Sequence, residues 1–266
     1  AYEIRNCDWS SDVCSSDLKG QDTLGLENSQ KRALLGRDIS MVFQQPSTAL
    51  DPVFTIGQQI SSVYRRHVGA GKTDAHRAVL ASLSEAGFDD PGSVASAYPH
   101  QLSGGMRQLA MIAMAMVCKP ALIIADEPTT ALDAQSSHLI LEQLKTLQSR
   151  HGTAILLISH DLSSVRNVCS RVMVMYCGRI VEKAPAPALF SSPQHPYSAG
   201  LLSCVPGIDK RRPEPVRPIP GQVPASLPEG CHFAPRCSRA AAECIDSVPR
   251  LDDANPSAAA CFRPLP

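Results

Sequence analysis

Short apolar segments alternate with longer amphipathic segments along most of the chain. The apolar segments of strand length lie at residues 39–43, 121–126, 154–158 and 171–175. The last of them turns at Cys177-Gly178 into a further short apolar stretch, residues 180–182. We expect a β-strand at each of these positions.

The stretches between the expected strands show the three- and four-residue spacing of helices. Helices are expected within residues 55–98, 109–118 and 134–150. In the last of these, Leu141, Leu144 and Leu147 share one face. The alternation of strands and helices predicts an α/β fold with a largely parallel sheet between helical layers.

Two short motifs carry the candidate chemistry. Residues 102–108 read Leu-Ser-Gly-Gly-Met-Arg-Gln, which puts two adjacent glycines where a loop enters a helix. Backbone N–H groups can approach an anion closely there, because no Cβ intervenes and the helix start supplies donors. Asp126 and Glu127 end an apolar strand, where open α/β sheets place their ligands. A phosphate cradle with a metal-holding Asp and an adjacent Glu predicts a nucleotide hydrolase.

These motifs belong to a set of five that stand in a fixed order. They are Gln44 within residues 42–46, the loop from Ser103 to Gln108, Asp126-Glu127, residues 131–133 (Ala-Leu-Asp) and His160 within residues 158–161. In this order they resemble the Q-loop, signature loop, Walker B pair, D-loop and switch histidine of the ATP-binding-cassette (ABC) ATPases. The resemblance implies a nucleotide-binding domain with a P-loop-type sheet and a helical subdomain at about residues 55–118 that carries the signature loop.

The resemblance also implies a role for each residue. Asp126 and Gln44 would hold Mg²⁺, Glu127 would polarise the attacking water, and His160 would hydrogen-bond the γ-phosphate of ATP. The residues expected to bind nucleotide are Ser103, Gly104, Gly105, Gln108 and Asp133. In the family the signature loop acts on ATP held by a second cassette in a head-to-tail dimer. Two structural alternatives stay open, since Ser103 and Asp133 could simply cap the helices that follow them.

The Walker A motif, G-x-x-x-x-G-K-S/T, has no match in the 266 residues. Gly69-Ala70-Gly71-Lys72-Thr73 lacks the first glycine, follows Gln44 instead of preceding it, and is expected to be a turn before a helix. Residues 1–18 do not resemble the family's lead-in, which begins near Lys19. We expect a truncated chain with a foreign start, and a divergent loop is the alternative; neither restores a Walker A motif.

Composition and charge bear on the partners and the location of the protein. The formal net charge is zero, which argues against a nucleic-acid partner. The longest apolar run, residues 109–118, is too short to span a bilayer, and no secretory signal is visible. Because ATP is the expected substrate, we expect a protein at the cytoplasmic side.

The C-terminal region narrows the resemblance. Residues 206–228 are rich in proline and predict an extended linker. Residues 192–202 and 230–237 on either side resemble the C-terminal region of oligopeptide/dipeptide-permease ATPases, so the resemblance covers about residues 19–264. It implies a peripheral protein on the cytoplasmic face of the inner membrane, with a second ATPase, two permeases and an extracytoplasmic solute-binding protein as partners.

Four of the ten cysteines lie in this tail, at Cys231, Cys237, Cys244 and Cys261. Their spacing is not the paired C-x2-C of a zinc ribbon, and disulfides are rare in the cytosol. The resemblance implies an iron–sulfur cluster, and four thiolates suit a 4Fe–4S centre. Zinc is the second alternative and free thiols are the third.

The sequence therefore predicts three parts: an atypical segment 1–18, a truncated ABC ATPase domain 19–205, and a Pro- and Cys-rich extension 206–266. The expected function is ATP hydrolysis, with ATP and Mg²⁺, coupled to permease gating in a peptide-type importer. The alternatives are a non-catalytic cassette that donates its signature loop in trans, and a non-transport ABC protein.

Overall fold

A computed structural model describes residues 2–4, 17–130, 132–205, 218–224, 226–252 and 254–266. Most of the atypical segment 1–18, most of the proline-rich linker and Ala131 of the expected D-loop therefore lie outside the described residues. The contacts of the chain divide it into two compact units. One comprises residues 4–158, and the other comprises residues 159–266 with residues 1–3. The domain boundaries expected at residues 19 and 206 stay predictions.

The strands over the described residues are β1 (Tyr2–Ile4), β2 (Asp17–Leu18), β3 (Gln21–Asp22), β4 (Ile39–Val42), β5 (Leu122–Asp126), β6 (Ala154–Ile158), β7 (Arg171–Tyr176), β8 (Arg179–Pro185) and β9 (Ala258–Ala259). The α-helices are α1 (Asn28–Leu34), α2 (Pro46–Ala49), α3 (Ile56–Val68), α4 (Lys72–Glu85), α5 (Pro91–Ser96), α6 (Gly104–Met116), α7 (Ala134–His151), α8 (Leu162–Val168), α9 (Ala186–Ser191), α10 (Pro196–Ser203) and α11 (Ala242–Asp246). Short 3-10 turns lie at Pro99–Gln101 and Ala234–Arg236.

In the first unit, strands β4, β5 and β6 form a parallel arrangement. Ile39 lies opposite Leu122 at the start of the β4–β5 pair, and Asp126 lies opposite Ile158 at the end of the β5–β6 pair. Buried and partly buried positions alternate along β5, as the pleat requires for a strand between neighbours. The carboxyl ends of all three strands thus meet at one edge.

Helices α3 to α6 pack together in this unit around an apolar core. The core includes Ile56 and Ile60 of α3, Val79 and Leu83 of α4, and Ala113 of α6. These contacts agree with the helical subdomain expected near residues 55–118.

Two local details explain why α3 and α4 are separate helices. Thr55 caps α3 through a hydrogen bond from the Gln58 N–H, and Gly69 ends it in the left-handed region at φ 73°. Lys72 then begins α4. The turn that the sequence predicts at residues 69–73 is therefore present but shorter, over residues 69–71, because Lys72 and Thr73 already belong to α4, and no strand leads into it.

The second unit is built on antiparallel strands. Strand β7 pairs with β8 through the tight turn at Cys177-Gly178, where φ is positive at both residues, as in a type I′ hairpin. Strand β9, from the C-terminal extension, adds to the other side of β8 with Glu182 opposite Ala259. The C-terminal extension therefore contributes a strand to the sheet of this unit. The expected α/β fold class is confirmed.

Candidate functional site

The parallel strands bring Gln44 and Glu127 together. Gln44 lies two residues after β4 and Glu127 lies directly after β5. The Nε2 of Gln44 donates a hydrogen bond to Oε2 of Glu127 at 2.6 Å. The hydroxyl of Thr130 donates to the same oxygen at 2.8 Å. Oε2 of Glu127 thus accepts two side-chain hydrogen bonds, one from Gln44 after β4 and one from Thr130 in the loop after β5.

The backbone of Glu127 is held in an uncommon conformation. Its φ is 45°, in the left-handed region that costs a residue with a Cβ about 1 kcal/mol. Two backbone hydrogen bonds fix it: the Glu127 N–H donates to the Ile158 carbonyl at 2.9 Å, and the Thr130 N–H donates to the Glu127 carbonyl at 3.1 Å. The chain therefore turns directly after the strand, within residues 127–130.

Asp126 is the last residue of β5 and is half-buried. Its carboxylate and the amide oxygen of Gln44 are hard oxygen donors of the kind that Mg²⁺ prefers, and both stand at the carboxyl ends of neighbouring strands. These donors fit the ion chemically.

Ser103 and the two glycines after it start helix α6. The Ser103 hydroxyl accepts a hydrogen bond from the Met106 N–H at 3.3 Å, so the capping alternative is present in the structure. A Cβ on Gly105 would lie 3.3 Å from the Ser136 Oγ, tighter than ordinary contact. The glycines therefore let the start of α6 approach the start of α7 closely.

Gln108 lies one turn into α6, and its side chain is only 1% exposed. Its Nε2 is buried without a hydrogen-bond partner among the described residues. The structure thus places Gln108 in the interior, and its expected contact with nucleotide stays a prediction.

Asp133 caps helix α7. Its carboxylate accepts hydrogen bonds from the N–H of Ser136 at 2.9 Å and from the Ser136 hydroxyl at 2.6 Å. These bonds, the hydroxyl first, lower the pKa of the Asp133 carboxyl below its usual value. The structure supplies the capping role and leaves the nucleotide role untested.

His160 belongs to the second unit and is exposed in the connection that precedes α8. The next residue, Asp161, caps α8 by accepting hydrogen bonds from the N–H groups of Ser163 and Ser164. The cap fixes the backbone immediately after the histidine. The expected bond from His160 to a γ-phosphate stays a prediction.

The four tail cysteines line one small cavity of about 20 Å³. Burial raises the pKa of the Cys231 and Cys261 thiols, backbone hydrogen bonds offset part of this rise, and the neighbouring thiols add to it. Both groups are therefore neutral thiols near pH 7. Within the described ranges, no group of three or more His, Cys, Asp or Glu side chains is arranged to hold a metal ion. The thiols share a cavity but do not form a ready ligand set.

His195 lines the same cavity and was given no role by the sequence. Its Nδ1 accepts a hydrogen bond from the Tyr197 N–H at 3.1 Å, so the imidazole caps α10 and its proton is on Nε2. Its own backbone N–H donates to Oε2 of the buried Glu182 at 2.9 Å. Burial lowers the pKa of His195 to about 4. With one ring nitrogen accepting a bond and the other protonated, His195 is a cap and not a metal ligand.

Among the described helices, none has the length and apolarity that a membrane span requires.

Three features of the first unit are typical of an α/β nucleotide-binding cassette. They are the acidic residues at the end of a parallel strand, the amide side chain that contacts one of them from the neighbouring strand, and the helix that begins with two glycines. Residues 14–130 match the family model described as ABC transporter, and residues 181–244 match the one described as oligopeptide/dipeptide transporter, C-terminal region. An oligopeptide transport ATP-binding protein of Bacillus subtilis is 44% identical over 239 residues, which cover 89% of this chain and 73% of that protein. A dipeptide transport ATP-binding protein of Escherichia coli is 41% identical over 89% of this chain and 72% of its own length.

The structure of a dimeric bacterial ABC transporter cassette superposes with a TM-score of 0.54 at 25% identity, covering 62% of this chain and 69% of that one. The chain belongs to the ATP-binding proteins of ABC transporters and carries the ATPase domain of that family. The fold and the family predicted from the sequence are therefore confirmed.

Proposed function

We propose that the protein is the ATP-hydrolysing subunit of an ABC importer for peptides or similar small solutes. The observation that carries the proposal is the contact between Gln44 and Glu127 at the ends of two parallel strands, because it joins the Q-loop to the Walker B carboxylate. The matches to an oligopeptide and a dipeptide transport ATP-binding protein support the peptide class.

In this proposal Glu127 accepts a proton from the water that attacks the γ-phosphate. Asp126 and the amide oxygen of Gln44 would hold Mg²⁺, which would supply positive charge to the phosphates of ATP. His160 donates a hydrogen bond to the γ-phosphate. Ser103, Gly104 and Gly105 present the N-terminal N–H groups of α6 to ATP held by a second cassette in a head-to-tail dimer.

We further propose two permease subunits and an extracytoplasmic solute-binding protein as partners, with the cassette on the cytoplasmic face of the membrane. A docking surface is offered by apolar side chains before α3, where Val53 is 69% exposed and Phe54 is 50% exposed. The exposed Tyr98 lies on an adjacent segment, because the Ile56 N–H donates to the Ala97 carbonyl at 2.9 Å. Exposed aromatic and aliphatic groups of this kind are common at protein interfaces.

For the tail we propose a metal centre on Cys231, Cys237, Cys244 and Cys261, an iron–sulfur cluster in preference to zinc. The support is that all four line one cavity. Because the thiols are not arranged as ligands without metal, binding must draw them together and release their protons. Anaerobic purification followed by iron, sulfide and zinc analysis tests this, with Cys118→Ser as the control and Cys231→Ser as the disabling change. A folded, reduced protein with neither metal would refute it.

A second candidate function rests on the capped signature loop, Ser103 to Gly105, at the start of α6. In this alternative the chain is a non-catalytic partner that lends the loop to another cassette. The test mixes the chain with a catalytically competent cassette and measures ATP hydrolysis. The wild-type chain is expected to stimulate the activity of that cassette, and the Ser103→Arg variant is not.

The main proposal is tested by uptake of a radiolabelled dipeptide. A full-length version, expressed with its permeases in cells that lack their own dipeptide-transport ATPase, is expected to restore uptake. The Glu127→Gln variant at the same expression level should not. Equal uptake by the two would contradict the proposed role of Glu127, and no uptake of any peptide by either would remove the peptide class.

A further inference from the structure

We propose that Thr130 is a positioning residue for ATP hydrolysis, which holds the carboxylate of Glu127 in place through its hydroxyl. The inference rests on the proposed function, in which Glu127 accepts the proton of the attacking water. The sequence motifs give Thr130 no role. The residue lies between the Walker B pair and the D-loop and belongs to none of the five motifs.

The loop after β5 builds this contact from its backbone. The Thr130 N–H donates to the Glu127 carbonyl at 3.1 Å, which closes a four-residue turn with Pro128 at its second position. Glu127, at the first position of this turn, adopts a left-handed φ of 45°. The Thr130 Oγ1 then lies 2.8 Å from Oε2 of Glu127 in a part-buried setting. Backbone and side-chain bonds thus join the same two residues.

The two donors on Oε2 differ in how they are attached. Gln44 is separated from Glu127 by 83 positions and stands on an exposed segment after β4. Any movement of that segment, such as a turn of the Gln44 amide toward Mg²⁺, changes its bond to Glu127. Thr130 lies in the same turn as Glu127, so its bond survives such a movement. Thr130 therefore remains a donor to the carboxylate when the Gln44 contact is exchanged.

The hydroxyl takes no part in the proton transfer. The proton of the attacking water goes to Glu127, the new bond forms between the water oxygen and the γ-phosphorus, and ADP leaves with the electrons of the broken P–O bond. Thr130 retains its own proton throughout. Its effect is therefore on the position of the base and not on the affinity for ATP, which predicts a change in kcat without a change in KM.

The test compares Thr130→Val, which keeps the shape and removes the hydroxyl, with Thr130→Ser, which keeps the hydroxyl. In a full-length version, Thr130→Val is expected to lower kcat about tenfold, the rate equivalent of one hydrogen bond to a charged group, and to leave KM for ATP unchanged. Thr130→Ser should stay within about twofold of wild type. In a Glu127→Gln background, Thr130→Val should add no further loss, because the residue acts through Glu127.

A Thr130→Val enzyme with wild-type kcat, or an equal loss in the Glu127→Gln background, would overturn the inference. If the wild-type protein does not hydrolyse ATP, the proposed function fails, and crystal structures of the 266-residue chain decide about Thr130 separately. Those structures should show the Glu127 carboxylate displaced in Thr130→Val and retained in Thr130→Ser. An undisplaced carboxylate in Thr130→Val would refute the positioning role.

Discussion

Acidification is expected to destabilise the second unit through His195. The imidazole is 1% exposed, packs 5.8 Å from the Phe233 ring centre to centre, and uses Nδ1 to accept the Tyr197 N–H. A second proton on the ring would break this cap and place a charge in the interior, away from water. The folded unit therefore resists protonation of His195.

The magnitude follows from the two pKa values. Burial lowers the pKa of His195 from 6.5 to about 4, so the unfolded chain takes up the proton first as the pH falls. The stabilisation is therefore fully present above pH 6.5 and is lost as the pH falls through 6.5 toward 4. Linkage gives a loss of about 2 kcal/mol in the free energy of unfolding between pH 7 and pH 5.

The assay is denaturant unfolding at pH 7, 6 and 5, followed by the near-ultraviolet circular dichroism of Tyr176 and Tyr197, whose rings pack 4.6 Å apart in this cluster. His195→Asn is the matched control, because an asparagine oxygen can still cap α10 but does not titrate. Wild type should lose about 2 kcal/mol more than the variant between pH 7 and pH 5. Parallel pH dependences of wild type and variant would refute the reasoning.

Two further predictions concern the nucleotide and the tail. The 266-residue chain should bind Mg-ATP weakly in isothermal titration, because it lacks the G-x-x-x-x-G-K-S/T motif that supplies most phosphate contacts; micromolar affinity would contradict this. Gly230→Ala should destabilise the tail by about 1–3 kcal/mol in denaturant unfolding, because a Cβ there would overlap the Cys244 and Ile245 carbonyl oxygens. The control is Gly92→Ala in α5, where a Cβ would contact only Asp90, at 3.5 Å, and this change should be neutral or stabilising. Equal effects of the two changes on the free energy of unfolding would contradict the close packing at Gly230.

The features that the sequence predicts correctly are local ones. Strands β4, β5 and β6 follow from apolar runs, and the turn between β7 and β8 follows from Gly178, which adopts positive φ readily. The positions of Gln44 and Glu127 after β4 and β5 follow from the same apolar runs, whereas the hydrogen bond between them is a finding of the structure. Periodicity and turn chemistry suffice for each of these.

The rest depends on contacts that no local pattern encodes. Strand β9 is only Ala258–Ala259, and its pairing with β8 is set by the packing of the tail. The bond from Thr130 requires the left-handed φ of Glu127, which an acidic residue rarely adopts. Gln108 sits in a motif that suggests a loop, but one turn of helix carries its amide into the interior. Tertiary packing decides all three.

Steady-state ATP hydrolysis by a full-length version and its Glu127→Gln variant tests the central claim most directly. Gln at this position keeps the size of the side chain and an oxygen that can accept from Gln44 and Thr130, and it removes the negative charge and the proton acceptor. We predict that the variant loses about 100-fold or more in kcat while its affinity for ATP stays at the wild-type value. Turnover by Glu127→Gln close to that of wild type would contradict the assignment of Glu127 as the general base.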